Sequence, residues 1–202
     1  MKHIKKFNEY IKNFLKPKNN DDMKKFTELN EKKQEPLYKY GVTMMYFDIP
    51  NWKKDILSII DKDDVYDKEG YGYENEPHIT LLYGFLPSIT EDDVKDKLLG
   101  IPKPVIVLKN ISIFQGTEYD VVKFDIENNL LHELNSTLNE LPNENEYPVY
   151  HPHMTICYVK AGRGSKYIQK IDDVIVIKPN KIIYSIPTKN GMKNKKIDLK
   201  IW

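Results

Sequence analysis

Apolar residues near the start of the chain recur at helical spacing. Ile4, Phe7, Ile11, Phe14 and Leu15 share one face over residues 3–16, and Pro17 stops that predicted helix. Residues 18–36 are polar and lysine-rich, with Met23, Phe26 and Leu29 spaced for a short second helix. Residues 1–35 therefore read as an amphipathic, basic N-terminal extension and linker, and residues 36–202 as the main domain. There the pattern changes to strands. Residues 37–49 read as the first. Residues 52–60 read as a helix, with Asn51 at its cap and Ile56, Leu57 and Ile60 on one face. A loop rich in Asp, Gly and Tyr leads to Pro77, and residues 78–83 form the next strand. Thr90 caps a helix running to Leu99, with Glu91, Asp92 and Asp93 in the first turn, where the helix dipole favours them. Residues 104–114 are one strand, or two broken at Asn110, and residues 119–126 another. Asn128 or Asn129 opens a helix to Leu141, ended by Pro142. Residues 153–159 are a strand, and residues 181–187 and 195–202 form a closing hairpin around Asn190-Gly191. Strand–helix–strand, twice, then a hairpin predicts an α+β domain of mostly antiparallel sheets with helices outside.

Composition narrows the class. The chain has 202 residues, 40% of them apolar and 30% charged, which suits one globular domain with an appendage. No apolar run approaches the roughly 18–20 residues of a membrane span. The lysine-rich start lacks the apolar core of a secretory signal, so a cytoplasmic location is expected. A single cysteine, Cys157, excludes an internal disulfide framework and fits a reducing compartment. Net charge is +1 but unevenly spread: residues 61–76 are mostly acidic, while residues 178–200 are lysine-rich with Asp198 the only carboxylate. Such a stretch attracts phosphate or is simply a solvated face. The near-neutral balance and the lack of a long basic stripe weigh against extended nucleic acid as a partner.

The chemistry sits in a repeat. "PHITLLYG" at residues 77–84 and "PHMTICYV" at residues 152–159 match at proline, histidine, threonine and tyrosine, with the remaining positions apolar except Gly84 opposite Val159. Each segment follows its own strand and helix, so a supersecondary unit has been duplicated. Residues i and i+2 of a strand share a face, so His78 and Thr80 project together, as do His153 and Thr155. Ile79, Leu81, Met154 and Ile156 then point into the core. Were the two strands neighbours across a pseudo-twofold cleft, two imidazoles and two hydroxyls would converge. One imidazole could take a proton from an attacking hydroxyl while the other protonates the leaving oxygen, each worth roughly 10²–10⁴-fold. The threonines could hold the non-bridging oxygens of a phosphate. This chemistry needs no metal and no other cofactor. The competing metal reading rests on His151 and His153 in "HPH", but Glu76 replaces His151 in the first copy and no third ligand has suitable spacing. His132 reads as a structural helix residue, and His3 lies in the extension.

On these residues the chain resembles the 2H phosphoesterase superfamily, the LigT-like group of 2′,5′-RNA ligases and cyclic phosphodiesterases, over about residues 37–202. The resemblance implies a bilobal α+β fold, two pseudo-symmetric antiparallel sheets around a central cleft, and metal-independent phosphodiester chemistry with His78, Thr80, His153 and Thr155 catalytic. The "EPHITLLYG" wording and a terminal tryptophan are also similar to phage anti-CBASS nucleases, which cleave cyclic di- and trinucleotide messengers and silence a bacterial antiviral system. That likeness implies that a ribose 2′-OH attacks the 3′–5′ phosphodiester, passing through a 2′,3′-cyclic phosphate. It also implies that Trp202 and an aromatic residue near the first strand, Tyr40 or Tyr38, enclose the nucleotide. The 35-residue extension and the loops depart from that group.

Further candidates lie in the aromatic residues, a glycine loop and the N-terminal extension. Among 14 tyrosines, Tyr83 and Tyr158 belong to the motifs, and Tyr71, Tyr73, Tyr147 and Tyr150 precede them; they are stacking faces for bases or plain packing. "KAGRGSK", residues 160–166, is a glycine loop in which Lys160 or Arg163 could grip phosphate, or an ordinary surface turn. "MKHIKKFNEYI" is similar to leaders of tailed-phage head proteins, and Leu29-Asn30-Glu31 fits a trimming site, so the extension is a packaging leader or a bland appendage. Three readings stay open: a cyclic-oligonucleotide phosphodiesterase, an enzyme on linear ends (2′,3′-cyclic phosphates or 2′,5′-oligoadenylate), and a nucleotide-binding sponge. The sequence does not fix the oligomeric state.

Overall fold

The computed structural model describes residues 39–145, 147, 149–188 and 194–202, all within the unit Leu37–Trp202. The extension with its Leu29-Asn30-Glu31 site, Tyr38 and the Asn190-Gly191 turn lie outside the described residues.

Among the described residues, eight strands form two four-stranded antiparallel sheets. Lobe A is built from β1 (Gly41–Tyr46), β2 (His78–Phe85), β7 (Lys181–Pro187) and β8 (Asn194–Asp198), in the order β2-β1-β7-β8. Lobe B is built from β3 (Ile106–Phe114), β4 (Tyr119–Asp125), β5 (His153–Lys160) and β6 (Gln169–Ile177), in the order β5-β4-β3-β6. The motif strands β2 and β5 are thus the corresponding edges of their sheets, and they lie against one another. The α+β architecture of two antiparallel sheets implied by the sequence is the one observed.

Helices α1 (Glu91–Leu98) and α2 (Asn129–Leu138) follow their sequence signals closely. Thr90 Oγ1 accepts from Asp93 N at 3.2 Å and Asp93 Oδ2 accepts from Thr90 N at 2.8 Å, a reciprocal cap on α1. Asn128 caps α2 through Leu131 N at 3.3 Å, and Leu131, Leu134 and Leu138 bury its inner face. Full burial of each leucine is worth roughly 1.5–3 kcal/mol. Helix α2, although it joins β4 to β5 of lobe B, packs on β2 of lobe A. In the opposite sense, Trp52 from the β1–β2 connection meets Phe124 of β4 at 6.4 Å.

Several expectations change. Residues 52–60 are not a regular helix: a π-turn (Trp52–Ile56) gives way to a 3₁₀ turn (Leu57–Ile59). Asn51 does not cap it through its side chain; it sits in the left-handed region at φ 58°. Residues 106–114 are a single strand, whose pairing to β6 slips between Leu108 and Asn110. Helix α2 ends at Leu138, and β6 had no counterpart in the sequence reading.

The two lobes are stitched by exchange. The open edge of β2 is covered by the segment preceding β5: Tyr150 Oη donates to Thr80 O (2.9 Å), and Glu144 N to Gly84 O (2.8 Å). Asn135 Nδ2 of α2 donates to Leu81 O at 2.6 Å. The open edge of β5 is covered by the segment preceding β2: Tyr66 N donates to Tyr158 O (3.0 Å), Tyr158 N to Gly72 O (2.9 Å), and Glu74 N to Ile156 O (2.9 Å). Both edges are thereby withdrawn from pairing with other chains.

Candidate active site

The histidine–threonine repeat is repeated in three dimensions, down to its irregularities. Pro77 and Pro152 open their strands, where a missing N–H costs nothing, and their carbonyls accept from Phe47 N (3.0 Å) and Ile126 N (3.1 Å). Pairing to the neighbouring strand slips by one residue at the same place in each copy. Met44 faces Thr80 and Thr43 faces Leu82, skipping Leu81; Lys123 faces Thr155 and Val122 faces Cys157, skipping Ile156. A bulge of this kind turns the strand by one residue. Strict alternation would have sent Tyr83 and Tyr158 into the core. The bulge brings them to the face of His78 and Thr80, and of His153 and Thr155, and buries Leu81 with Leu82 and Ile156 with Cys157. The spacing His-x-Thr-x-x-Tyr is therefore the spacing of one bulged face.

Both imidazoles are oriented alike. His78 Nδ1 lies 2.9 Å from Glu76 O, and His153 Nδ1 lies 2.7 Å from His151 O. A carbonyl can only accept, so Nδ1 carries the proton in each ring and Nε2 holds the lone pair of the neutral form. Each histidine thus presents a proton-transferring nitrogen on the side away from its own backbone. Tyr46 backs His78 at 5.5 Å, and Glu74 Oε2 stands 3.9 Å from its Nδ1. Phe114 meets His153 edge-on at 5.0 Å.

Burial pushes the pKa of His153 below that of an ordinary histidine. The charges of Lys123 and His78 push the same way, opposed by the His151 carbonyl and by Asp125. His78 and His153 open strands that lie against one another, at matching positions of the two copies. Asp125 stays below the usual carboxylate range: burial opposes its ionisation, and hydrogen bonds from Lys123 and Ser112 outweigh that.

A cavity of about 670 Å³ opens at this face. Thr80 and Tyr83 line it from β2, and His153, Thr155 and Tyr158 from β5, while His78, two residues before Thr80 on the same face, lies just outside the lining. Tyr119, Tyr147 and Tyr150 add aromatic walls. Hollows of about 690 and 460 Å³ beside Pro152 and Pro77 include neither motif threonine.

The remaining sequence candidates divide. Tyr40 supports the cavity wall by meeting Tyr83 edge-on at 6.1 Å. Tyr71 packs on Tyr158 at 5.2 Å and Tyr119 at 4.9 Å. Tyr73 instead turns to Ile60 O (3.3 Å), and His132 packs against Tyr150 at 5.5 Å. The glycine loop does not reach the cavity. Gly162 N and Gly164 N both donate to Asp120 Oδ2 at 2.9 Å, and a Cβ on Gly164 would lie 2.9 Å from Asp120 Cβ. Gly164 therefore admits an internal carboxylate. Lys160 Nζ donates to Asp63 O at 2.6 Å, and Arg163 Nε is 4.0 Å from Asp64. Trp202 donates to Ile101 O at 3.2 Å, with Lys103 over its ring, and lies outside the cavity lining. Lysines of the basic C-terminal stretch also face carboxylates: Lys195 meets Glu91 at 3.9 Å and Lys196 meets Glu76 at 3.8 Å. Lys123, Asp125 and Tyr119 of β4 and Phe114 of β3 were missed; nothing in the sequence singles them out before the pairing of β5 to β4 and of β4 to β3 is known.

The family described as the 2′-5′ RNA ligase superfamily matches residues 58–172, more than half of the chain. The chain belongs to that superfamily. It is accordingly an enzyme of the 2H phosphoesterase type, acting on nucleotide phosphodiesters. No curated protein matches it significantly. Among solved structures it is similar to Usb1 of Kluyveromyces marxianus at 7% identity, covering 80% of this chain and 99% of that one, with a TM-score of 0.54. It is also similar to E. coli LigT in apo form (16% identity, 81% and 97% covered, TM-score 0.51). E. coli LigT complexed with 3′-AMP gives 16% identity, 81% and 98% covered, and a TM-score of 0.53. At such identities these likenesses speak for the fold. Among the described residues no helix is long and apolar enough to cross a membrane.

Proposed function

We propose that this enzyme cleaves 3′–5′ phosphodiester bonds of cyclic di- or trinucleotide messengers without a metal, as phage anti-CBASS nucleases do. The observation that carries the reading is the pair of matched imidazoles, each with Nδ1 tied to a carbonyl and Nε2 left for proton transfer. His153, kept neutral by its surroundings, is the general base: its Nε2 takes the proton of a ribose 2′-OH. The O2′ oxygen attacks the adjacent phosphorus, forming the P–O2′ bond. The P–O5′ bond breaks opposite it, and His78 Nε2–H protonates the departing O5′. Thr80 and Thr155 donate to the non-bridging oxygens, where charge grows. The products are an opened ring with a 2′,3′-cyclic phosphate and a free 5′-OH.

Aromatic walls on both lobes support a substrate with a base on each side of the scissile phosphate. Tyr83, backed by Tyr40, stands on lobe A; Tyr158, backed by Tyr71 and Tyr119, stands on lobe B. Stacking on such faces is worth about 1–3 kcal/mol per base. A volume of about 670 Å³ lies within the roughly 300–1,000 Å³ of small-molecule sites.

The test is turnover of a substrate panel in EDTA: 3′,3′- and 2′,3′-cyclic dinucleotides, 2′,5′-oligoadenylate, and RNA ending in a 2′,3′-cyclic phosphate. Cyclic dinucleotides are expected to be opened, and His78→Ala and His153→Ala to abolish it. Preference for the linear ends would move the enzyme to RNA processing. Tight binding without turnover would make it a sponge, and loss of activity in EDTA would end the metal-free mechanism.

A further inference from the structure

Lys123 is a charged side chain in a place that its counterpart leaves apolar. It faces Thr155 across β4 and β5, as Met44 faces Thr80 across β1 and β2. Lys123 is 3% exposed. Its Nζ donates to Ser112 Oγ at 2.7 Å, pairs with Asp125, and sits 4.1 Å from the centre of the Phe114 ring. That ring meets His153 edge-on, and Asp125 faces His153 across the strands. Burying an ammonium is costly, and a well-packed apolar residue commonly serves stability as well or better. Lobe A shows that the duplicated frame closes without one.

We propose that Lys123 is a positioning residue that keeps His153 in its proton-accepting form, so that the duplicated histidines divide into base and acid. The proposal rests on the reading of His153 as general base. Lys123 touches no substrate; it acts through the imidazole. The charged and titratable groups around His153 are Lys123 and Asp125 on β4, His78 on β2 and His151 just ahead of its own strand; Phe114 and Ser112 on β3 are uncharged. Lys123 favours the neutral ring and Asp125 the protonated one. The pair is arranged with the ammonium buried and the carboxylate half-exposed, where water weakens its influence. The net push is toward neutrality.

Removing the ammonium removes a charge that disfavours imidazolium and leaves Asp125, which favours it, so the His153 midpoint rises. Removing the carboxylate charge lowers it. The experiment is NMR titration of the His153 ring protons from about pH 5 to about pH 9, without substrate, beside the pH profile of kcat/KM. In Lys123→Met the midpoint is expected to rise by about half a unit to one unit. Asp125→Asn is expected to lower it, and Lys123→Arg to leave it in place. The acidic limb of kcat/KM, which reports the base, should move upward with Lys123→Met. An unmoved midpoint in folded Lys123→Met overturns the coupling. If that variant fails to fold, Asp125→Asn decides, and a midpoint that does not fall overturns it equally. A midpoint that rises while only the alkaline limb moves makes His153 the acid and overturns the base assignment. Because the titration needs no substrate, it stands or falls separately from the choice of substrate.

Discussion

Strands β2 and β5 carry the same histidine, threonine and tyrosine on one bulged face, but the strands beside them differ. In lobe A the neighbours of His78 and Thr80 are Tyr46 and Met44; in lobe B the neighbours of His153 and Thr155 are Asp125 and Lys123. Duplication supplies two identical groups, whereas acid–base catalysis needs two groups in opposite protonation states. Environment has to break the symmetry, as it does wherever two like groups take opposite roles. In the division of roles proposed above, the burial of His153 and the charge beside it do so.

The sharpest way to break this comparison is to remove each histidine and change the leaving group. On a cyclic dinucleotide, His78→Ala and His153→Ala are each expected to lose about 10²–10⁴-fold in kcat/KM. With a nucleoside 3′-(4-nitrophenyl phosphate), the leaving phenolate needs no proton. There His78→Ala should recover to within about tenfold of the parent, while His153→Ala keeps its full loss. Equal losses of the two variants on the nitrophenyl ester would show that the lobes share their roles.

The sequence carries the symmetric part of this picture more legibly than the asymmetric part. His78, Thr80, His153 and Thr155 are neighbours within short frames, so periodicity alone assigns them to common faces. The parity of Tyr83 and Tyr158 was not legible, because a bulge is visible only against a partner strand. Lys123 was hidden for the same reason: in "VVKFD" it reads as an outward-facing lysine until the pairing to Thr155 is known. Lys160 and Arg163 looked like phosphate ligands because nothing local shows that Asp63, Asp64 and Asp120, 40 or more residues away in the chain, face their loop. The irregular Trp52–Ile59 segment has a helical apolar pattern, yet it is wound by tertiary fit, with Trp52 Nε1 held by Glu74 O at 2.8 Å. Strand β6 was overlooked because its alternation is broken by Asp172 and Asp173.

A second contrast concerns the one mismatched motif position, Gly84 against Val159. Gly84 has φ 104°, and a Cβ there would stand 2.9 Å from the carbonyl of Glu144, in the segment that covers the β2 edge. Val159 occupies an ordinary buried strand position. Gly84→Ala is expected to cost about 2 kcal/mol or more in denaturant unfolding, from a left-handed backbone plus a backbone collision. Val159→Ala, which only leaves a small void, should cost about 1–2 kcal/mol. A Gly84→Ala loss below about 0.5 kcal/mol would mean that the β2 edge is not closed as tightly as the β5 edge.

The smallest effects should separate the aromatic residues that line the cavity from the one that only resembles a ligand-enclosing residue by its place in the sequence. Tyr83→Ala removes a stacking face worth about 1–3 kcal/mol, so KM for a cyclic dinucleotide should rise roughly 5- to 150-fold with kcat less affected. Trp202 bonds to Ile101 O and holds Lys103 over its ring, away from the cavity lining. Trp202→Ala should leave KM within about twofold, because no stacking surface at the cavity is lost. A tenfold rise in KM with Trp202→Ala would show that the C-terminal segment moves onto the bound nucleotide. The tail would then add to lobe A an aromatic wall that the duplication did not supply.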